Sequence, residues 1–123
     1  MATQRLKSNS VSFRAASDLS AKQYFAVKMT STAGAADLAG AGEGDGILIN
    51  TPASGELADV VLLGGAKVKL GGTVTRGQFG KSDAAGKLVA ATANNDKYIV
   101  KFLDSGVNGD IVDVLVISGF VGA

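Results

Sequence analysis

From Gly46 to Gly72 the chain reads GILINTPASGELADVVLLGGAKVKLGG, three short apolar runs separated by turn chemistry. Runs this short, rich in aliphatic residues and bounded by Gly, Pro, Asn and Ser, are strands rather than helices. Thr51-Pro52 stops the first of them, because proline lacks the N–H that a ladder needs and pre-sets a turn. Residues 57–63 read as a largely buried strand. Gly64-Gly65 reads as a two-residue hairpin connection, since glycine accepts positive φ. Residues 66–70 then return with Ala66, Val68 and Leu70 inward and Lys67 and Lys69 outward. The stretch describes a compact antiparallel β module with no place for an active site.

The same punctuation runs through the whole chain. Seventeen glycines and one proline separate apolar runs at roughly 8–12-residue intervals, the rhythm of a small barrel or sandwich. Residues 24–30 alternate, with Phe25, Val27 and Met29 on one face. A short strand is expected near 36–38, followed by a flexible acidic loop over 40–46. Residues 47–50 form the next strand, 74–80 hold at most one helical turn, and 87–91 form a short strand. Residues 97–103 and 110–117 make the last pair. In that final strand Val112, Val114 and Val116 share one face, and Ile111, Leu115 and Ile117 share the other with Asp113. A strand apolar on both faces is either central or covered by a partner. The expected fold is all-β: a small antiparallel β-barrel or sandwich, β-tulip-like, with at most one short helical turn. Its length, 123 residues, is that of one domain. Residues 1–10 are expected as a flexible, extended N-terminal arm and 11–123 as a single β domain.

Composition removes most chemistry. Cysteine and histidine are both absent, so there is no disulfide framework, no thiolate metal site, and neither the commonest general base nor the commonest metal ligand. No cofactor or metal is expected. The lack of Trp and the scarcity of aromatics argue against a stacking platform for single-stranded nucleic acid, and the net charge of +1 against a nucleic-acid binder. No apolar run approaches the roughly 18 residues of a membrane span, and the basic N-terminus lacks the apolar core of a secretory signal. The protein is expected to stay in the cytoplasm where it is made unless it leaves as part of something larger. Charge is unevenly placed. Residues 1–28 carry five basic groups against Asp18, whereas 29–65 carry five acids and no Lys or Arg. A basic leading segment beside an acidic middle can pair within one chain or between neighbours.

Local motifs for catalysis fail on their surroundings. Lys81 and Ser82 are adjacent on an extended segment and point apart. Gly80-Lys81-Ser82 lacks the earlier glycine of a phosphate loop, position 75 being Thr75, and Asp83–Gly86 is a turn rather than a helix. Gly40–Gly46 does not open a helix, so it is no dinucleotide fingerprint. Glu43 and Asp45 offer oxygens, but Ca²⁺ takes 6–8 ligands. Gly65-Ala66-Lys67-Val68-Lys69 faintly resembles the lysine-bearing hairpin of biotinyl and lipoyl carrier domains, with Lys67 just after the tip, but without their flanking methionine or aspartate. A carrier domain modified at Lys67 is the alternative reading.

The order of motifs has a more specific counterpart. ASDLSAKQYFAVKM is followed by the acidic Gly-rich loop, then GILINTPASGELADVVLLGGAKVKLGGTV, GQFGKSDAAGKLVAA and GDIVDVLV. This resembles the DUF2190-type cement proteins of tailed-phage capsids, at Tyr24, Phe25, Gly46, Asn50, Pro52, Gly55 and Glu56 and again over 82–91. The likeness spans about residues 16–116, and the KYIVKFLDSG segment departs from the family pattern. The resemblance implies a non-enzymatic virion protein on the exterior of the capsid, made in the host cytoplasm. It implies a homotrimer that binds the major capsid protein at capsomer junctions and holds the shell against internal DNA pressure. No nucleic acid, membrane or small-molecule substrate is implied. Arg5, Lys7 and Phe13 are the candidate arm contacts, two charges for steering and one aromatic anchor. Glu43 and Asp45 are the candidate acidic contacts to the shell or a neighbouring protomer.

Overall fold

The computed structural model describes residues 8–122. Nine strands occur: β1 (Ser8–Ala15), β2 (Ala26–Met29), β3 (Ala35–Leu38), β4 (Gly46–Leu48), β5 (Leu57–Lys69), β6 (Phe79–Ser82), β7 (Leu88–Ala90), β8 (Lys97–Phe102) and β9 (Ile111–Phe120). There is no helix among the described residues, and the helical turn allowed for over 74–80 is replaced by a bridge from Val74 to Gly106 and the start of β6. The all-β expectation holds.

The strands hydrogen-bond in the order β1-β3-β2-β4-β5-β9-β8-β6-β7, and β1 also pairs with β5. That additional pairing closes β1, β3, β2, β4 and β5 into a five-stranded barrel. Every strand but one pair runs antiparallel; β1 and β3 meet in parallel at Arg14–Ala35 and Ala15–Ala36. The remaining strands curl back from β5, and a single bridge from Leu70 to Leu88 brings β7 to the far end of β5. The Gly71 N–H donates to the Leu88 carbonyl there at 2.9 Å. Two rings therefore share one long strand.

Each ring has its own core. All five barrel strands contribute to the first, through Ala15, Val27, Leu48, Ala58 and Val60 with Phe13 and Leu38 packed against them, and Leu19 completes it. The second core is larger. Val68, Leu70, Leu88, Val100, Phe102, Val112, Val114 and Val116 line the second ring and meet Ala26, Ile47 and Val61 from the barrel's outer wall. Ala26 is thus buried although it alternates with buried Phe25 and Val27, while Met29 at the strand end is exposed. Strands covered on both faces lose the polar-out alternation.

The hairpin expected at Gly64-Gly65 does not exist. β5 runs through it without reversal, thirteen residues from Leu57 to Lys69. Its first half pairs with β1 and β4, its second half with β9, and Gly64 is opposite both Ser8 and Val116. Val61 and Ala66 both reach the second core although they are five residues apart, which regular alternation forbids. The register between β1 and β5 slips by one residue between Val61 and Leu63, and Gly64 beside the slip takes φ 109°, a conformation that L side chains avoid; together they absorb the conflict. The change of face that a hairpin would have explained is made by a kink within one strand. Tyr24 marks the same junction: at φ 72° it donates its N–H to the Leu48 carbonyl at 2.7 Å and accepts from the Lys69 N–H at 3.0 Å. It ties the barrel to the second ring, and the strand expected from residue 24 begins at Ala26.

β1 begins at Ser8 and is paired to Arg14 along β5, so the boundary drawn for an arm at residue 10 falls inside a strand. Arg5 and Lys7 lie outside the described residues.

Candidate functional site

Among the described residues no group of three or more Asp or Glu is placed to hold a metal ion. The carboxylates that attracted attention are occupied by this chain's own groups. Glu43 accepts from Lys28 Nζ at 3.2 Å and from the Gly40 N–H at 2.9 Å. Asp45 accepts from the Met29 N–H at 3.0 Å and from Lys97 Nζ at 3.2 Å. The loop that carries them, expected to be flexible, is pinned by Ser82 of β6. The Ser82 hydroxyl donates to the Gly40 carbonyl at 2.7 Å and accepts from the Gly44 N–H at 3.2 Å, while the Ser82 carbonyl accepts from the Gly42 N–H at 2.9 Å. Ser82 is a buried polar side chain satisfied on both counts, as burial demands. The loop bolts the two rings together.

Phe13, expected as an arm anchor, packs instead against the core of its own barrel. It pairs with Ala58 on β5, a register that turns it toward the barrel interior. Lys67 also departs from expectation. It lies within β5, opposite Asp113 of β9, and its Nζ donates to Asp113 Oδ1 at 2.8 Å. An exposed hairpin tip, the geometry that a swinging carrier lysine needs, is absent at this position.

Two ion pairs carry a pH dependence, Lys28–Glu43 at 3.2 Å and Lys81–Asp96 at 2.9 Å. The carboxyl of Asp96 is held below the ordinary range by the hydrogen bond from Lys81, with the Ala93 N–H adding to it and burial opposing it. That of Glu43 is lowered first by the Gly40 N–H and then by Lys28. A carboxyl depressed in the folded state stabilises the fold above its unfolded pKa, and that stabilisation is lost as pH falls through the folded value. The melting temperature is expected to hold steady above about pH 5 and to drop as pH falls below about 4. Asp96→Asn is expected to flatten part of that acid limb; a wild-type profile that stays level down to pH 2 would count against these pairs as the cause.

What the molecule leaves open is a surface. The outward row of β9 carries Ile111, 50% exposed, and Leu115, 37% exposed, and Leu63 on β5 is 55% exposed. Register lines them up with basic groups: Ile111 is opposite Lys69, and Leu115 is opposite Gly65 on one side and Lys101 on the other. Asp113, 7% exposed, sits between the two apolar residues under Lys67. Beside this face Phe79 stacks on Tyr98, ring centres 4.1 Å apart, with Lys101 Nζ 5.9 Å from the Phe79 ring. Aliphatic side chains with interspersed lysines thus stand exposed on one face of the sheet, the kind of patch that in general marks interaction sites. The two-sided apolar pattern of the last strand was its signal in the sequence.

No family model matches the sequence, and no curated protein matches it. The cement-protein resemblance therefore rests on the motifs that carry it. A solved structure does match: the head fiber gp8.5 N base in bacteriophage phi29 superposes with a TM-score of 0.69 at 16% identity, covering 90% of this chain and 95% of that one. At that identity the likeness establishes a shared fold.

Proposed function

We propose that this protein is a structural component of a tailed-phage head, a decoration protein that binds the outer surface of the assembled shell at capsomer junctions. The observation that carries the reading is the shared fold with a protein described as the base of a head fiber, over nearly the full length of both chains. The order of sequence motifs supports the same reading independently. So does the chemistry of the surface, which offers adhesion through Leu63, Ile111 and Leu115 and no converging set of reactive groups among the described residues.

Reinforcement of a shell by such a protein is linkage. A ligand that binds only the assembled, expanded state stabilises that state by mass action. A homotrimer touching several major-capsid subunits at once gains further from effective concentration, so modest individual contacts suffice. Arg5 and Lys7, with Glu43 and Asp45, are the charged contacts proposed to steer this docking.

Purified protein added to undecorated, expanded capsids is expected to bind in fixed copy number and to raise their melting temperature. Failure to bind such capsids at any ionic strength would remove the reading. Saturable binding without a change in melting temperature would make the protein an attachment module that does not reinforce the shell.

A further inference from the structure

The edge of a sheet presents unpaired backbone N–H and C=O groups, and this molecule leaves one edge of its barrel open. β1 has β5 along one side from Ser8 to Arg14. On its other side β3 meets it only at Arg14–Ala35 and Ala15–Ala36. From Ser8 to Phe13 that side carries no strand among the described residues. Two bonds at the closed end fix which groups are left over. The Ala15 N–H donates to the Glu56 carbonyl, on the β5 side, at 2.8 Å, and the Arg14 N–H donates to the Gly34 carbonyl, on the β3 side, at 2.7 Å. Successive residues of a strand direct their backbone groups to opposite sides. Those of Val11 and Phe13 therefore enter the ladder with β5, and those of Ser10 and Ser12 point outward, at two exposed residues.

Natural proteins blunt such edges with charges, proline or a covering segment. The segment from Ser8 to Phe13 reads SNSVSF, without a charged residue or a proline. Its register slip lies between Asn9 and Ser10, and Ser10–Phe13 pairs regularly beyond it. Val11 shows that a neighbour is lacking. It stands opposite buried Val60, on the barrel-core face, yet is 44% exposed. Phe13, two residues on and next to the β3 corner, is packed against the core.

We infer that this edge takes up an extended peptide segment of a shell subunit, which pairs with the N–H and C=O groups of Ser10 and Ser12 and lays an apolar side chain against Val11. The inference rests on the decoration reading and deepens it by naming the contact. Outward donors and acceptors at strand spacing are matched by another extended backbone, the recognition mode of strand addition. The lack of charge along the edge selects an uncharged segment. A second copy of this chain is a poorer occupant. The Thr32–Gly34 turn closes the free edge at Arg14, and two folded copies facing each other through β1 would each bring such a turn to one narrow line. A single extended segment brings none.

The test uses the purified full chain, undecorated expanded capsids and two variants, Ser10→Pro and Ser12→Pro. Each removes an outward N–H and sets a ring in the path of an added strand, at positions where an edge strand tolerates proline because no ladder bond is lost. Circular dichroism and melting temperature check that both fold. Each variant is expected to bind capsids at least about tenfold more weakly than the native chain, since a lost hydrogen bond and an obstructed strand act together. Hydrogen exchange on the native chain gives a readout that needs no variant. The amides of Ser10 and Ser12 are expected to exchange fast in the free protein and at least about tenfold more slowly on the capsid, whereas those of Val11 and Phe13 are slow in both. Native protein that fails to bind removes the decoration reading, and with it the shell as occupant. Native protein that binds while the variants bind equally well, or while Ser10 and Ser12 stay fast, overturns the inference alone. Slow exchange at Ser10 and Ser12 in the free protein, together with sedimentation as a dimer, would hand the edge to a second copy and overturn it as well.

Discussion

Phe102→Ala is expected to cost about 3–5 kcal/mol of stability, the range for truncating a fully buried aromatic. Phe102 is 0% exposed and lies at the centre of the second core. Its ring covers Gly80 of β6, where a Cβ would come within 2.7 Å of Phe102 Cε2 and of Val100 Cγ2, so the aromatic occupies the space that a side chain at position 80 would take. Half of the other buried residues in this cluster are valines, whose stiff χ1 limits how far the void can be filled. A fall of roughly 10–20 °C in melting temperature should follow for a chain of this size. Urea unfolding would measure the change directly, through a lower midpoint at unchanged slope. A loss below about 1 kcal/mol would mean that the second ring does not hold the cooperative core.

Gly46→Val is expected to cost about 1–3 kcal/mol or more through overpacking at the place where the barrel closes. A Cβ at position 46 would lie 2.6 Å from Val60 Cγ1 and 2.7 Å from the Val61 carbonyl oxygen. The second of these is backbone of β5 and cannot swing aside. β4 pairs with β5 through Ile47–Val61 and Leu48–Val60, and the Ile49 N–H donates to the Asp59 carbonyl at 3.0 Å just beyond, so forcing the strands apart at Gly46 loosens a short ladder. Faster amide exchange at Ile47 and Val61 than at Val112 and Val114 would show that the damage is confined to the barrel. Equal loosening of both rings would show instead that they unfold as one unit.

Strand existence was legible because it rests on local chemistry. Val112, Val114 and Val116 alternate at the period of a strand, and they form the inner row of β9. The chain reverses between β4 and β5 as Thr51-Pro52 led one to expect, although the turn itself falls at Ser54-Gly55, and the short strands around residues 36–38 and 87–91 appear where turn residues bound them. Gly64-Gly65 was misleading for a physical reason. Two glycines between apolar runs permit positive φ whether the chain reverses or only kinks, and nothing local distinguishes these. The outcome depends on β1 and β9 competing for the two edges of β5. The acidic loop was likewise unreadable as an ordered element. Its composition is that of a mobile segment, and its anchor, Ser82, lies 42 residues from Gly40. Phe13 looked like a free aromatic because the registry that turns it inward is set by Ala58, far along the chain.

The candidate surface was half legible. A final strand apolar on both faces announced that something must cover one of them, but the lysines beside it became neighbours only through strand pairing. Lys101 comes from β8 and Lys69 from β5, and no spacing in the sequence relates them.

By itself, then, the amino-acid sequence determined an all-β chain without the side chains for thiol, imidazole or metal–sulfur chemistry, since period-two patterning and turn residues act over a few positions. The tertiary structure alone decided that two rings share one kinked strand, that Glu43 and Asp45 answer to Lys28 and Lys97, and that apolar and basic groups gather on one face. These depend on hydrogen-bond register between distant strands, a free energy that exists only once the chain has closed on itself.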